Sequence, residues 1–196
     1  MVSRAFRIVL ASRSPRRIEI LQREGVQFQS IEADVDDEAT PPAGDPRSVA
    51  KELALSKARA VSAAHALQCQ GAFVIGADTI CHHRGVSVGK ARDRDEARQI
   101  LFQMMDGAHT VVTGIAIIHD GDARTFVDEA IVRLQPVSDA QIELYLQSDG
   151  WQGKAGAYDI EERQRAGWSM QCDGDTDTVG GLPWRRVREA IEGWSA

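Results

Sequence analysis

The stretch Arg7-Ile8-Val9-Leu10-Ala11-Ser12-Arg13-Ser14-Pro15-Arg16-Arg17 decides the class of fold. Its first five residues, RIVLA, form a short apolar run of the kind a buried strand needs. Ser14-Pro15 follows with a serine at the N-cap position and a proline at the first helical position, which predicts a helix start. Ile18, Leu21 and Ile20 supply the inward side of that helix, and Gly25 stops it. A strand therefore runs into a helix with only a short turn between them.

The alternation continues outward. Val26–Ile31 reads as a second strand and Ala33–Gly44 as an acidic loop. Asp45-Pro46 opens a long helix to about Leu67. Ala72–Ala77 (AFVIGA) is a continuous apolar run, as expected of a central strand. Ile80–Val88 reads as a hairpin around Arg84-Gly85, and Asp93 with Glu96 as a capping box for a helix ending near Met105. His109–His119 and Ala123–Leu134 read as longer strands joined at Asp120-Gly121. Ser138 with Gln141 opens a further helix to Gln147, Gly150–Gly156 is glycine-rich, and Pro183 opens a last helix through Trp194. The alternation of strands and helices, without internal repeats, predicts an α/β fold with a mixed central sheet flanked by helices.

Composition narrows the function classes. The chain has 196 residues, which fits one domain spanning 1–196 or one domain with two lobes. Its formal net charge of −6 argues against a broad nucleic-acid or membrane-binding surface. Met1 to Leu10 lacks the apolar run of a signal peptide, and no stretch approaches the ~20 apolar residues of a membrane span. Cys69, Cys81 and Cys172 match no zinc spacing and read as reduced thiols, so a cytoplasmic setting is expected.

Several segments bear on chemistry. Ser12 to Arg17 sits where a strand meets a helix N-terminus, a place that favours anions. Arg16 and Arg17 in the first turn oppose the helix dipole unless an anion lies between them. Taken alone, the pair reads as well as two solvated arginines. The glycines and lysine of a P-loop are missing. Val49, Leu53, Lys57 and Val61 share one helix face, so Lys57 either snorkels over the core or directs its ammonium into a cleft. Asp78 follows the apolar run Ala72–Ala77, at a carboxyl strand end where α/β sheets gather ligands. A carboxylate there can act as general base or hold a divalent ion. Lys90 follows Val86 and Val88 at period two and should point inward. Gly153-Lys154-Ala155-Gly156 would let the backbone approach a phosphate, although an ordinary turn has the same composition. Asp34, Asp36, Asp37 and Glu38 could supply a metal ligand opposite Asp78, whereas most acidic runs are simply solvated. Cys81-His82-His83 reads as hairpin residues, because adjacent histidines on a strand face opposite sides. Cations to neutralise a polyphosphate, with carboxylates to hold its metal, predict attack of water at phosphorus without a covalent intermediate.

With these residues in view, the chain resembles the Maf family of nucleoside triphosphate pyrophosphatases from about Ile8 to the last helix. Leu10-Ala11-Ser12-Arg13-Ser14-Pro15-Arg16-Arg17 is similar to the family's LASxSPRR, and Glu52 to Ala58 to the segment with its helix lysine. Gly76-Ala77-Asp78-Thr79 is similar to the motif of the catalytic aspartate. Gly89-Lys90, Lys154-Ala155-Gly156-Ala157-Tyr158 and Gly181-Leu182-Pro183 follow in the family's order. The resemblance implies an ITPase-like fold of two lobes around a cleft, Asp78 as the residue that accepts the water proton, and a divalent cation (magnesium or manganese) on Asp78 with Asp37 or Glu38. It implies Ser12, Arg16, Arg17, Lys57, Lys90 and Lys154 as phosphate-binding residues, and a homodimer acting on a nucleoside triphosphate, not on nucleic acid or a membrane.

The chain departs from the family pattern at Asp37, where a glutamate is usual, and at Gly174 to Thr178. It departs again at Asp159-Ile160-Glu161-Glu162, where the family often reads GIQG. In the branch acting on dTTP and UTP, an arginine, a threonine and a glutamine mark specificity. Arg16 and Thr79 fit that branch, and Glu161 replaces the glutamine. An ionised glutamate only accepts hydrogen bonds, which suits a guanine edge, so the base stays open between the pyrimidine branch and a guanine-type or modified nucleotide. Two other functions use the same cations. One is a nucleotide-binding regulator of cell division without turnover, and the other is a phosphatase releasing orthophosphate.

Overall fold

The structure, a computed structural model, describes residues 6–35, 44–105 and 107–195. Strand β1 (Ile8–Leu10) runs into α1 (Pro15–Arg23) and pairs in parallel with β2 (Phe28–Ser30). Helices α2 (Pro46–Ala64) and α3 (Ala66–Cys69) then cross back to β3 (Phe73–His83), which is parallel to β1 on its other side. A hairpin through Arg84 and Gly85, both at positive φ, leads to β4 (Val86–Val88). After α4 (Arg94–Met105), β5 (Ala108–His119) and β6 (Asp122–Leu134) form a long antiparallel ribbon turned at Asp120 and Gly121, again both at positive φ as a tight hairpin requires. Helices α5 (Asp139–Gln147) and α6 (Ile160–Arg165), edge strand β7 (Met170–Asp173), and α7 (Thr176–Val179) and α8 (Trp184–Glu192) complete the order, with a 3-10 turn at Gly193–Ser195. The described strands make one mixed sheet in the order β2-β1-β3-β5-β6-β7, with β4 on β3.

Local signals account for most boundaries. Asp45 caps α2 by accepting from the Ser48 amide at 3.1 Å, and Ser138 with Gln141 forms the expected capping box of α5. Each such cap is worth about 1 kcal/mol. Ser14 differs from the expectation: its side chain makes no cap bond, and its amide instead donates to the Ser12 hydroxyl at 3.1 Å. The long helix ends at Ala64, a few residues before Leu67, and α3 follows it. Sequence reading placed no element between Gly156 and Pro183, whereas α6, β7 and α7 lie there. Each is four to six residues long, too short for a hydrophobic period to show.

The sheet carries three apolar clusters. Ile75, Ala77, Ile115 and Ile117 pack under α1 and α8 with Leu21, Leu182 and Val187. On the opposite face Val74 and Ala116 meet Ala54, Ala58 and Val61 of α2. Towards the far ends of β3, β5 and β6, Cys81, Val111, Val132 and Leu134 pack with Leu101, Leu146, Trp151 and Trp168, forming the core of the second lobe. Both lobes thus hang on the same long strands.

Between the cores the strands turn polar. Asp78, Thr79, Thr113 and Asp128 sit at the middle of β3, β5 and β6, in register as Thr79↔Thr113 and Thr113↔Asp128. On the edge of β3 away from β5, β1 pairs with Phe73–Ile75 and β4 with Cys81–His83. Residues 76–80 therefore face no strand on that edge among the described residues, and this gap opens into the cleft between the lobes. The sequence reading ended this strand at Ala77. It runs on through Asp78 to His83 because β5 bonds it as far as His82 and burial alternates again at Cys81 and His83.

Candidate active site

The cleft encloses about 920 Å³ and is lined by Ser12, Arg16, Arg17, Lys57, Asp78, Thr79, Lys90 and Lys154, among others. Residues drawn from five separate stretches of sequence therefore converge on one space.

Asp78 is placed by α2. A Cβ at Gly76 would strike the Ala54 carbonyl and the Ala58 amide, and a Cβ at Gly114 would strike the backbone of Ala50 and Lys51. Two glycines on neighbouring strands thus let the helix backbone lie directly on the sheet. Asp78 shares the face of Gly76, two residues on, and stands opposite Gly114. Lys57 comes down beside it, and its Nζ donates to Asp78 Oδ1 at 2.6 Å. Both residues are only 8% exposed. A buried pair of this kind adds little net stability, but removal of one partner strands a charge and costs roughly 3–5 kcal/mol. Pairing of the ammonium with a buried carboxylate goes beyond covering the core with a stem.

Thr79 points to the other face, towards α1. Arg17 is held there by three bonds: Nε donates to the Gly181 carbonyl at 2.9 Å, Nη1 to Ser12 Oγ at 3.1 Å, and Nη2 to Thr79 Oγ1 at 3.2 Å. The arginine in contact with Thr79 is thus Arg17. Arg16 reaches the cleft on a different azimuth and faces Asp159 at 3.6 Å. One helical residue turns the side chain by about 100°, which separates the two sets of contacts.

The opposite wall is more open. Lys90 is exposed, and its backbone bridges to Ala155 beside the glycine-rich turn. Lys154 donates to Glu162 Oε2 at 2.5 Å. Glu161 does not reach this wall: its carboxylate contacts Arg23 and Arg165, at 3.5 and 2.7 Å, on the outer side of α6. Ile160 is buried and Arg163 stacks on Tyr145 at 4.0 Å, and together they fix the rotation of α6 so that Glu162 faces the cleft. Asp159 and Glu162 are therefore the cleft-facing acids of the segment in which the chain departs from GIQG. The residues alone assign neither Asp159 nor Glu162 to the cleft, because the phase of so short a helix is not written in its sequence.

Beneath the cleft, Tyr158 is buried and its hydroxyl lies 2.5 Å from Nε2 of His109, itself 1% exposed. Burial, with the nearby His83 adding to it, pushes the His109 imidazole down to about 4, so it is neutral at pH 7. Cys81 lines the floor, and burial pushes its thiol up to about 12, which removes it as a nucleophile.

Asp37 and Glu38 lie outside the described residues. Among the described residues no three His, Cys, Asp or Glu side chains cluster as metal ligands, and Cys81, His82 and His83 form no such group. Glu32 and Asp34 also line the cleft without clustering with Asp78 as a ligand group, so the oxygen donors there are single carboxylates. Such donors fit a hard cation that takes one or two carboxylates and completes its shell with phosphate oxygens and water. No described helix is long and apolar enough to cross a membrane.

The family model described as Maf-like protein matches residues 7–194. The chain belongs to the Maf family. Curated relatives of this Maf protein include proteins named dTTP/UTP pyrophosphatase from Halalkalibacterium halodurans and Pyrococcus horikoshii. The first is 38% identical over 94% of both chains. The second is 36% identical over 93% of this chain and 94% of its own. Among solved structures, the Staphylococcus aureus Ham1 protein aligns with a TM-score of 0.43 at 16% identity, over 65% of this chain and 71% of its own.

Proposed function

We propose that this Maf protein hydrolyses dTTP and UTP to the nucleoside monophosphate and pyrophosphate. The observation that carries this reading is the buried Lys57–Asp78 pair at the floor of a cleft also lined by Ser12, Arg16, Arg17, Lys90 and Lys154. Relatives of nearly equal length named dTTP/UTP pyrophosphatase support the pyrimidine substrates. Glu161 is turned to Arg23 and Arg165, and the glutamate of that segment that faces the cleft is Glu162.

In this mechanism a water attacks the α-phosphorus. The bond from that phosphorus to the bridging oxygen breaks, and pyrophosphate leaves with the bond's electrons. Asp78 accepts the proton of the attacking water, and Lys57 holds the carboxylate in place and supplies positive charge. Arg16, Arg17, Lys90 and Lys154 take up the charge of the remaining phosphates, which is where such reactions gain most of their rate. A magnesium or manganese ion would be held by Asp78 with Asp37 or Glu38, and would neutralise phosphate oxygens when bound. A homodimer in the cytoplasm completes the assignment, in keeping with the free thiols of Cys69, Cys81 and Cys172.

The test is product identity. With UTP or dTTP and either metal, pyrophosphate should appear, and Asp78→Asn should slow its release roughly 10²–10⁴-fold. Orthophosphate in its place would make the protein a phosphatase. Tight binding with no product would make it a nucleotide-binding regulator.

A further inference from the structure

Behind Thr79 lies a row of hydroxyls that the reaction itself does not use. Thr113 is fully buried, faces Thr79 across the strand pair, and donates from Oγ1 to the carbonyl of Thr178 at 2.7 Å. A carbonyl only accepts, so the single Thr113 proton is committed to it. The 3.0 Å contact between Thr113 Oγ1 and Thr79 Oγ1 must then use the Thr79 proton. Arg17 Nη2 donates to Thr79 from the other side. The chain of donors therefore runs Arg17, Thr79, Thr113, Thr178, with one direction fixed throughout.

The same carbonyl of Thr178 also accepts from the Gly181 amide at 3.1 Å, and the Gly181 carbonyl holds Arg17 Nε. Thr178 itself is tied down at its hydroxyl by Asp128, which Arg186 pairs from α8. Gly181 sits at φ +90°, and a Cβ there would come within 2.8 Å of Thr79 Oγ1. Thr113 thus stands where the two supports of Arg17 meet, one through Thr79 and one through the turn after α7.

We propose that Thr113 is a positioning residue that sets the polarity of Thr79 and so the base preference of the cleft. With its proton turned inward, Thr79 presents only an acceptor. An acceptor at that point suits a base edge carrying an N–H, as the imide of uracil or thymine does, and disfavours cytosine, whose equivalent ring nitrogen is itself an acceptor. This inference rests on the proposed nucleotide site and names what selects the base within it.

Equilibrium binding of UTP and CTP without turnover, compared among wild type, Thr113→Val and Thr113→Ser, provides the test. Valine keeps the shape and removes the hydroxyl, which frees the Thr79 proton to turn outward. The UTP-over-CTP preference should fall about five- to tenfold in Thr113→Val and return in Thr113→Ser. Should the valine variant not fold, Thr113→Ala, which also removes both donor and acceptor, should show the same loss. An unchanged preference in the valine or alanine variant overturns the proposal. So does an equal loss in the serine variant, or a wild type that does not distinguish the two nucleotides. A wild type that binds UTP preferentially but releases no pyrophosphate would sink the hydrolase reading alone, and the binding ratio would still decide the role of Thr113.

Discussion

Lys57 and Lys154 both face the same cleft with a carboxylate partner at nearly the same distance, 2.6 Å to Asp78 and 2.5 Å to Glu162. Their surroundings differ. The Lys57 and Asp78 side chains are 10% and 11% exposed, whereas Lys154 and Glu162 are 15% and 44% exposed. The first pair joins a helix to a central strand across two glycines that let the backbones touch. The second joins a loop to a six-residue helix at the rim. Water screens the rim pair and leaves the inner pair at nearly full strength. The inner wall is therefore built before substrate arrives, and the outer wall is free to exchange its partner for a phosphate.

That contrast breaks most clearly at Lys57. Lys57→Met should leave Asp78 buried without a counter-charge and cost roughly 3–5 kcal/mol at neutral pH, read as a lower urea midpoint. Lys154→Ala at the rim, whose pair with Glu162 is screened by water, should cost less than about 1 kcal/mol. Equal midpoints for the two variants would mean that the buried pair does not hold the inner wall.

The seat of α2 gives a smaller effect. Gly114→Ala forces a methyl into the backbone of Ala50 and Lys51, and should destabilise by about 1–3 kcal/mol while lowering turnover through the displaced Lys57. Gly193→Ala, with nothing within 4 Å of the added Cβ, is the matched control. Similar stability of both variants would remove the close approach of α2 as the device that positions Lys57.

The smallest effect belongs to the rim. Glu162→Gln should leave stability nearly unchanged and lower the KM for the triphosphate about two- to threefold at low salt, with the difference fading as ionic strength rises. A KM that does not move at any salt concentration would show that Glu162 does not compete with phosphate for Lys154.

Much of this arrangement was legible in the chain. The RIVLA–SPRR junction marks a strand entering a helix, and AFVIGADT marks a buried strand carrying an acid. Residue type and place mark Ser12, Arg16, Arg17, Lys57, Asp78, Lys90 and Lys154, the family resemblance adds Thr79, and all of them line one cleft. Three features were not legible. Asp78 lies within β3, not at its end, because pairing with β5 and β4 carries the strand past the polar gap. Thr79 meets Arg17, because the phase of α1 is set by Ile20 and Leu21 sinking into the core. Glu162, not Glu161, faces the cleft, because Ile160 and Arg163 anchor α6.

The sequence by itself determined the α/β class, the family and the set of charged residues, since strand and helix periods, caps and short motifs are local properties of the chain. Which neighbour of each pair faces the cleft, and the one-way hydrogen-bond chain through Thr113, were decided only by tertiary structure. A side chain's direction depends on how its helix or strand is rotated against the rest of the core, and distant residues fix that rotation.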